Sequence, residues 1–475
     1  MLKEKKKKTK IVCTIGPASD NEEMMRKLIK AGMNVMRCNF SHGNYEEHAA
    51  KMEKIRRINK ELRTNVAVML DTKGPEVRTG EFENGVAEFK KGQLCIITTE
   101  DIIGTSDRFT ISYKELYRDV KPGGFILVND GQVALQIDHV ENKEIYCIAA
   151  NDGKVKNTRG INVPGAILAF EFLSEKDIND IKFGCEMDVD FIAASFVRRP
   201  QDVLDIKKLL VECGKPNIQV LSKIESVEAV GNMDAIIEVS DGVMVARGDL
   251  GVEVPAEDVP GIQKEIIKKC NAAGKIVITA TQMLESMQEN PRPTRAEVSD
   301  VANAIFDGTD AIMLSGESAQ GKYPEEAVMT MTKIAKKTEE QLDYSNLLRF
   351  AIKTSDDNTS EAICMSVAEI ANNFKVAAII AFTETGGTAK RMSRYKPECP
   401  IIAATPFEKT AKLLALSWGV HPVLAKEMKS KEGLVNLANV LARESGILIG
   451  EKVLVTGGTP GVVGQTNYLE LITVK

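Results

Sequence analysis

Short apolar runs recur along the chain. Most are followed by a longer stretch whose apolar positions fall three and four residues apart. The runs cover residues 10–15, 34–40, 65–70, 190–197, 219–224, 242–246, 275–281 and 311–315, and helix-like periods cover 21–31, 174–183, 201–213 and 262–272. Strand alternating with helix predicts a parallel sheet, and eight such strands predict a closed (β/α)8 TIM barrel of the α/β class. The rhythm breaks after the third run. Residues 74–171 alternate apolar and polar, as at 125–128 and 133–140, and turn signals punctuate them at 84–85, 129–131 and 151–153. That texture predicts an inserted small β-barrel. Carried on a strand-to-helix loop, it would sit over the end of the barrel where active sites lie and act as a lid. Beyond residue 343 the alternation restarts, with strand-like runs at 377–382, 401–404 and 452–455 and helical stretches at 361–372 and 386–395. The chain is thereby divided into a barrel over 1–73 and 172–342, a β insertion over 74–171, and a C-terminal α/β domain over 343–475.

Composition narrows the classes. Of 475 residues, 43% are hydrophobic, enough for several cores, and 62 basic against 67 acidic residues leave a net charge of −5. That balance excludes a general nucleic-acid binder. The one basic run, Lys5 to Lys8 with Lys10, reads as a solvated terminal tail. No apolar stretch approaches the about 18 residues of a membrane span, and residues 11–15 are too short for a signal-peptide core, so a cytoplasmic protein is expected. The nine cysteines stand singly and read as reduced core residues. A zinc set of Cys38, His42 and His48 is conceivable but has little to recommend it.

Chemically capable residues gather where the barrel strands end: 37–43 after the second, 71–78 after the third, 222–225 at the fifth, 247–251 after the sixth and 279–282 at the seventh. Glu225 and Asp249 are hard oxygen ligands on neighbouring strands, a pair that suits Mg²⁺ or Mn²⁺ with open positions. Lys223 precedes Glu225 by two residues, so both face the same side of an extended strand. Arg37 and Arg78 offer planar forks for phosphate. Asn39, Ser41, Asp71 and Thr72 offer oxygen ligands with one formal charge, a composition expected for K⁺. Together these groups describe a phosphoryl-transfer site that works by positioning and charge stabilisation. Thr294 with Glu297 at capping-box spacing reads as a structural or interface element, and 386–390, a glycine turn into a helix, fits an anion-binding N-terminus as well as an ordinary strand-to-helix turn. A metal-dependent aldolase or lyase acting on pyruvate, and a non-enzymatic regulatory protein, remain as alternatives at this point.

The segments 36–43 (MRCNFSHG), 70–79 (LDTKGPEVRT), 222–225 (SKIE), 246–253 (ARGDLGVE), 280–287 (ATQMLESM) and 293–317 resemble the pyruvate kinase family, in that family's order and across essentially the whole chain. The resemblance implies transfer of a phosphoryl group from phosphoenolpyruvate to ADP through enolpyruvate, which is then protonated. It implies that Glu225 and Asp249 bind the divalent ion, that Lys223 stabilises the transferring phosphoryl and the enolate oxygen, and that Arg37 holds phosphate. It further implies that Thr281 lies near the protonated carbon and that the amides of Gly248 and Asp249 hold the substrate carboxylate. The potassium set would be Asn39, Ser41, Asp71 and Thr72, and Glu76 stands where K⁺-independent members carry Lys. Arg78, His42, Lys182 and Pro17 match positions near the nucleotide.

The loop 383–389 (TETGGTA) resembles the effector phosphate loop, which places Thr383, Thr385, Gly386, Gly387 and Thr388 around a possible phosphorylated effector. Gly387 replaces a basic residue of some fructose-1,6-bisphosphate-activated members, and 456–461 (TGGTPG) lacks their Trp and Arg. The expected effector is therefore a monophosphate, such as AMP or a sugar phosphate. Cys38 and Ser318 also depart from the usual residues, an apolar side chain and Thr. No extra C-terminal domain of the kind carried by some bacterial members is expected, and the family implies a homotetramer.

Overall fold

The computed structural model describes residues 6–458 and 464–475. Eight parallel strands close into a barrel: Lys10–Thr14, Val35–Asn39, Ala67–Asp71, Phe191–Ala194, Gln219–Ile224, Gly242–Ala246, Ile276–Ala280 and Ala311–Leu314. Closure is direct, because Lys10 to Cys13 pair in register with Ala311 to Leu314. These strands are buried on both faces, which is why they read as unbroken apolar runs rather than as alternation. Their inward residues, including Val12, Met69, Phe191, Leu221, Met244 and Met313, form one cluster, which Leu413 and Leu416 of the C-terminal domain join. Their outward residues pack against the helices in a second, larger cluster.

Between the third and fourth barrel strands the chain builds the β insertion around its own core of Phe82, Phe89, Phe109, Leu135 and their neighbours. Seven strands form one sheet with Val77–Arg78 at one edge and Arg108–Thr110 at the other. A bridge between Thr79 and Ile111 joins those two edges, so the sheet curls into a small barrel. Asn162 of the insertion donates from Nδ2 to Glu253 Oε1 at 2.9 Å, which ties it to the rim of the main barrel.

In the C-terminal domain the sheet order is Val420–Leu424, Ile401–Thr405, Ala378–Phe382, Lys452–Gly457, Tyr468–Thr473. The first four strands are parallel and the last is antiparallel. The first and last of these strands were not expected from the sequence. Val420–Leu424 carries Pro422, tolerated because the strand lies at the sheet edge.

The basic N-terminal run is not a solvated tail from Lys7 onward; Lys5 lies outside the described residues. Lys7 and Lys10 are buried. Lys7 Nζ donates to Thr9 O and Asn34 Oδ1, and Lys10 Nζ to Val420 O. Lys8 Nζ sits 4.2 Å from the centroid of Tyr344, and its amide donates to Glu339. The run is a strap that stitches the first barrel strand to the C-terminal domain. Its apolar stems fill space that the composition, read as charge, did not suggest.

Candidate active site

The polar groups at the strand ends meet around Lys223. Its Nζ donates to Ser195 Oγ at 2.7 Å and to Asp71 Oδ1 at 3.3 Å, and lies 2.9 Å from Glu225 Oε1. Burial alone would lower the lysine, but Asp71, Glu225 and Asp249 outweigh it and hold its pKa above the ordinary value. Arg37 stands on the neighbouring side: Nε donates to Asp71 Oδ2 at 2.6 Å and Nη1 to Thr14 Oγ1 at 2.8 Å. Asp71 is thus gripped by two cations and by Ser195 Oγ at 3.1 Å. Despite its burial, these partners keep its pKa low.

Glu225 is 1% exposed, and its Oε2 accepts the Phe196 amide at 2.6 Å. Oε1 has no hydrogen-bond donor; Lys223 Nζ is close but off the hydrogen-bonding direction. Burial, partly offset by Lys223 and reinforced by Asp249, pushes the carboxyl up to about 8. A buried carboxylate oxygen with an unfilled lone pair beside the half-buried Asp249 fits a hard divalent cation. Among the described residues no three His, Cys, Asp or Glu side chains are placed to hold a metal ion by themselves, so water and substrate oxygens would have to complete such a shell. The potassium set has a compatible donor chemistry. Asn39 and Asp71 are direct partners in register, Thr72 follows Asp71, and Asn39 Oδ1 accepts the Ser41 amide at 3.1 Å.

Thr281 sits at the end of the seventh strand with φ 65°, and Gln282 follows with φ 53°. A β-branched residue in the left-handed region is strained and persists only where its surroundings impose it. Arg247 imposes it here. Its guanidinium donates to three successive carbonyls, Ala280 O at 3.2 Å, Thr281 O at 2.7 Å and Gln282 O at 3.5 Å. Asp300 Oδ1 anchors it at 2.7 Å from the helix Arg295–Phe306. That helix begins with the expected capping box of Thr294 and Glu297. Thr281 Oγ1 donates to Ala280 O at 2.7 Å and accepts the Gly248 amide at 2.8 Å. The Gly248 amide, expected to face a substrate carboxylate, is therefore occupied in this structure.

Two matches decide the family. The family model for the pyruvate kinase barrel domain covers residues 6–328, and that for the pyruvate kinase α/β domain covers 361–472. The chain belongs to the pyruvate kinase family. It is 50% identical over 471 residues to a pyruvate kinase of Clostridium acetobutylicum, covering 98% of this chain and all of that one. It is 51% identical over 469 residues to a pyruvate kinase of Staphylococcus aureus, covering 98% of this chain and 80% of that one. A crystal structure of a pyruvate kinase from Cryptosporidium parvum superposes with a TM-score of 0.95 at 38% identity, covering 99% of this chain and 96% of that one. The reaction of the family is phosphoryl transfer from phosphoenolpyruvate to ADP, giving pyruvate and ATP.

Not every residue expected from the sequence joins the cluster. Arg78 lies in the β insertion, where Nη2 donates to Glu76 Oε2 at 2.6 Å and Nη1 to Thr158 O at 2.8 Å. Pro17, His42 and Lys182 are exposed. His48 stacks on Phe40 at 4.0 Å and shares its Nε2 with His42 O, so it is not turned toward Cys38 and His42 as a metal ligand.

The C-terminal loop lines a cavity of about 200 Å³ with Thr383, Thr385, Gly387 and Thr388, to which Arg391 and Lys426 add positive charge and Glu384 and Glu427 negative charge. Gly386 lies behind the wall, its amide donating to Thr383 Oγ1 at 2.9 Å. Residues 459–463 of the last loop lie outside the described residues. Four site groups went unread in the sequence: Thr14, Ser195, Phe196 and the side chain of Arg247. Ser195 and Phe196 could have been found by reading the residues just past the fourth strand, as was done for its neighbours.

Proposed function

We propose that this chain transfers the phosphoryl group of phosphoenolpyruvate to ADP at the cluster of Arg37, Lys223, Glu225, Asp249 and Thr281. The observation that carries the assignment is the buried Lys223, kept cationic by Asp71, Glu225 and Asp249 on a rim otherwise able to receive two anions. Arg37 and Lys223 bind the phosphate oxygens of phosphoenolpyruvate. Lys223 also meets the charge that develops on the enolate oxygen as its bond to phosphorus breaks and a new one forms to the β-phosphate oxygen of ADP. The enolate then takes a proton at its terminal carbon on the Thr281 side, delivered through water. Glu225 and Asp249 would hold Mg²⁺ or Mn²⁺, and Asn39, Ser41, Asp71 and Thr72 would hold K⁺. Such ions supply positive charge that offsets repulsion between the two anionic substrates.

Arg78, His42, Lys182 and Pro17 form the nucleotide side, and the β insertion over 74–171 closes across it as a lid. The C-terminal domain over 343–475 takes a monophosphate effector in the cavity beside Thr383 to Thr388. The working form is a homotetramer in the cytoplasm. For the described residues, no helix is long and apolar enough to cross a membrane.

The test is pyruvate formation from phosphoenolpyruvate and ADP, coupled to lactate dehydrogenase, with Mg²⁺ and with or without KCl. Turnover should require ADP and Mg²⁺ and rise with K⁺. ADP-independent release of pyruvate would sink the assignment, and equal rates with and without K⁺ would remove the potassium set. Strong activation by fructose-1,6-bisphosphate alone would refute a monophosphate effector.

A further inference from the structure

At the opposite end of the barrel from Lys223, the C-terminal domain leaves a cavity of about 50 Å³ against the starts of the seventh and eighth strands. That is room for a few waters or one small oxyanion. Its wall carries four cations, Lys275, Lys390, Arg394 and Lys396, against two carboxylates, Asp241 and Asp310. Both carboxylates are already taken: Asp310 pairs with Lys396, and Asp241 with Lys207 at 3.1 Å. Lys275 spends its ammonium on Glu238 O at 3.0 Å and Ser240 O at 2.7 Å.

Three donors remain. Lys390 has no hydrogen-bond or ion-pair partner among the described residues. Arg394, with its side chain 8% exposed, donates from Nη2 to Ala272 O and Thr354 O and has Glu361 Oε1 3.9 Å from Nη1, but leaves Nε without an acceptor. Ser417 is 2% exposed, and its hydroxyl has no partner. Two buried donors, Arg394 Nε and Ser417 Oγ, and the half-buried ammonium of Lys390 are left unmatched around one cavity and call for an acceptor that the described residues do not provide. Water could satisfy their hydrogen bonds but not the surplus of positive charge.

We propose that this cavity is an anion site, distinct from the rim cluster and from the pocket beside Thr383, that takes a small tetrahedral oxyanion of the phosphate class. Lys390, Arg394 Nε and Ser417 Oγ donate to it. Such an ion bridges the barrel and the C-terminal domain, because Lys275 and Asp310 belong to one and the three donors to the other. Burial, countered by Asp241 and reinforced by Lys275, lowers the Lys390 pKa, and a bound anion returns that ammonium to its charged form. The helix Gly387–Arg394 thus serves two cavities, Arg391 facing one and Lys390 with Arg394 the other.

The sole tryptophan provides the readout. Trp418 follows Ser417, and Lys396 Nζ lies 5.2 Å from its ring centroid. Titrating inorganic phosphate at constant ionic strength, balanced with chloride, should give a saturable change in tryptophan fluorescence. Lys390→Met should weaken the apparent affinity by about tenfold or more, and Lys390→Arg should keep most of it. Arg391→Gln should leave it unchanged. Absence of a saturable change would overturn the proposal, as would a change that survives Lys390→Met or one that Arg391→Gln abolishes. If Lys390→Met does not fold, a crystal soaked in phosphate decides: tetrahedral density between Lys390 Nζ and Ser417 Oγ supports the site, and its absence refutes it.

Discussion

Lys223 and Lys10 are buried at opposite ends of one barrel, and their surroundings are opposite in charge. Lys223 faces three carboxylates, which overcome the cost of burial and raise its pKa. Lys10, 2% exposed, donates among the described residues only to the carbonyl oxygen of Val420, and the one carboxylate that offsets its burial, Glu339, does so weakly. Burial, with Lys7 adding repulsion, drives its pKa well below the usual lysine range. The nearby His421 is pushed down in the same way, first by burial and then by Lys10 and the other lysines of the strap. A buried lysine is therefore not a signature of function in itself. The number of compensating carboxylates decides whether the fold maintains a charge for use or only tolerates one. The division matches the general rule that a barrel's upper face carries chemistry and its lower face stability.

The largest effect that would break this contrast is at Lys223. Lys223→Met should lower kcat in the coupled assay by about 10²–10³-fold or more, as for loss of a preorganised charge-stabilising donor. It should also destabilise the fold by about 3–5 kcal/mol, because Glu225 stays buried without its counter-charge and Asp71 keeps only Arg37. Lys10→Met should leave kcat within about twofold, since the lower end takes no part in the chemistry. Equal losses in the two variants would erase the distinction.

A smaller effect is expected at Arg247, which touches no substrate in this account and acts by holding the strained turn at Thr281 and Gln282. Arg247→Met should reduce kcat by about 10- to 100-fold through misplacement of Thr281, with KM for ADP nearly unchanged. Arg247→Lys should recover little, since a single ammonium cannot span three carbonyls. A loss confined to thermal stability, with kcat intact, would make Arg247 merely structural.

How much of this was legible in the sequence followed from where burial is symmetrical. All eight barrel strands could be read because each is buried on both faces and apolar over at least half its length. Val420–Leu424 could not, because His421 and Pro422 read as a break and only the edge position excuses them. Lys223 and Glu225 were legible from their two-residue spacing. Ser195 was not: one hydroxyl after an apolar strand carries no pattern until the barrel closes and brings Asp71 and Lys223 onto it. The strap was misread for the opposite reason. Charge density in a terminal run suggests solvent, whereas its burial is decided by Glu339 of the last barrel helix and by the C-terminal domain, hundreds of residues away.

The smallest expected effect tests that lower end by pH. Burial, only partly offset by Glu339, lowers the Lys7 pKa to about 8 in the folded chain, against 10.5 for the free side chain. Between those values the unfolded chain binds more protons than the folded one, so stability rises with pH through this window. The cost of burying the charged ammonium is present in full below pH 8 and fades toward pH 10.5. Lys7→Met abolishes that titration but also loses the contacts to Thr9 O and Asn34 Oδ1, so its absolute stability mixes two changes. The difference between pH values does not. Urea unfolding of the two proteins should show the original chain gaining about 2 kcal/mol on Lys7→Met between pH 7 and pH 10. Parallel curves would mean that Lys7 is charged and solvated after all, and the strap would then resemble the upper end of the barrel more than its position allows.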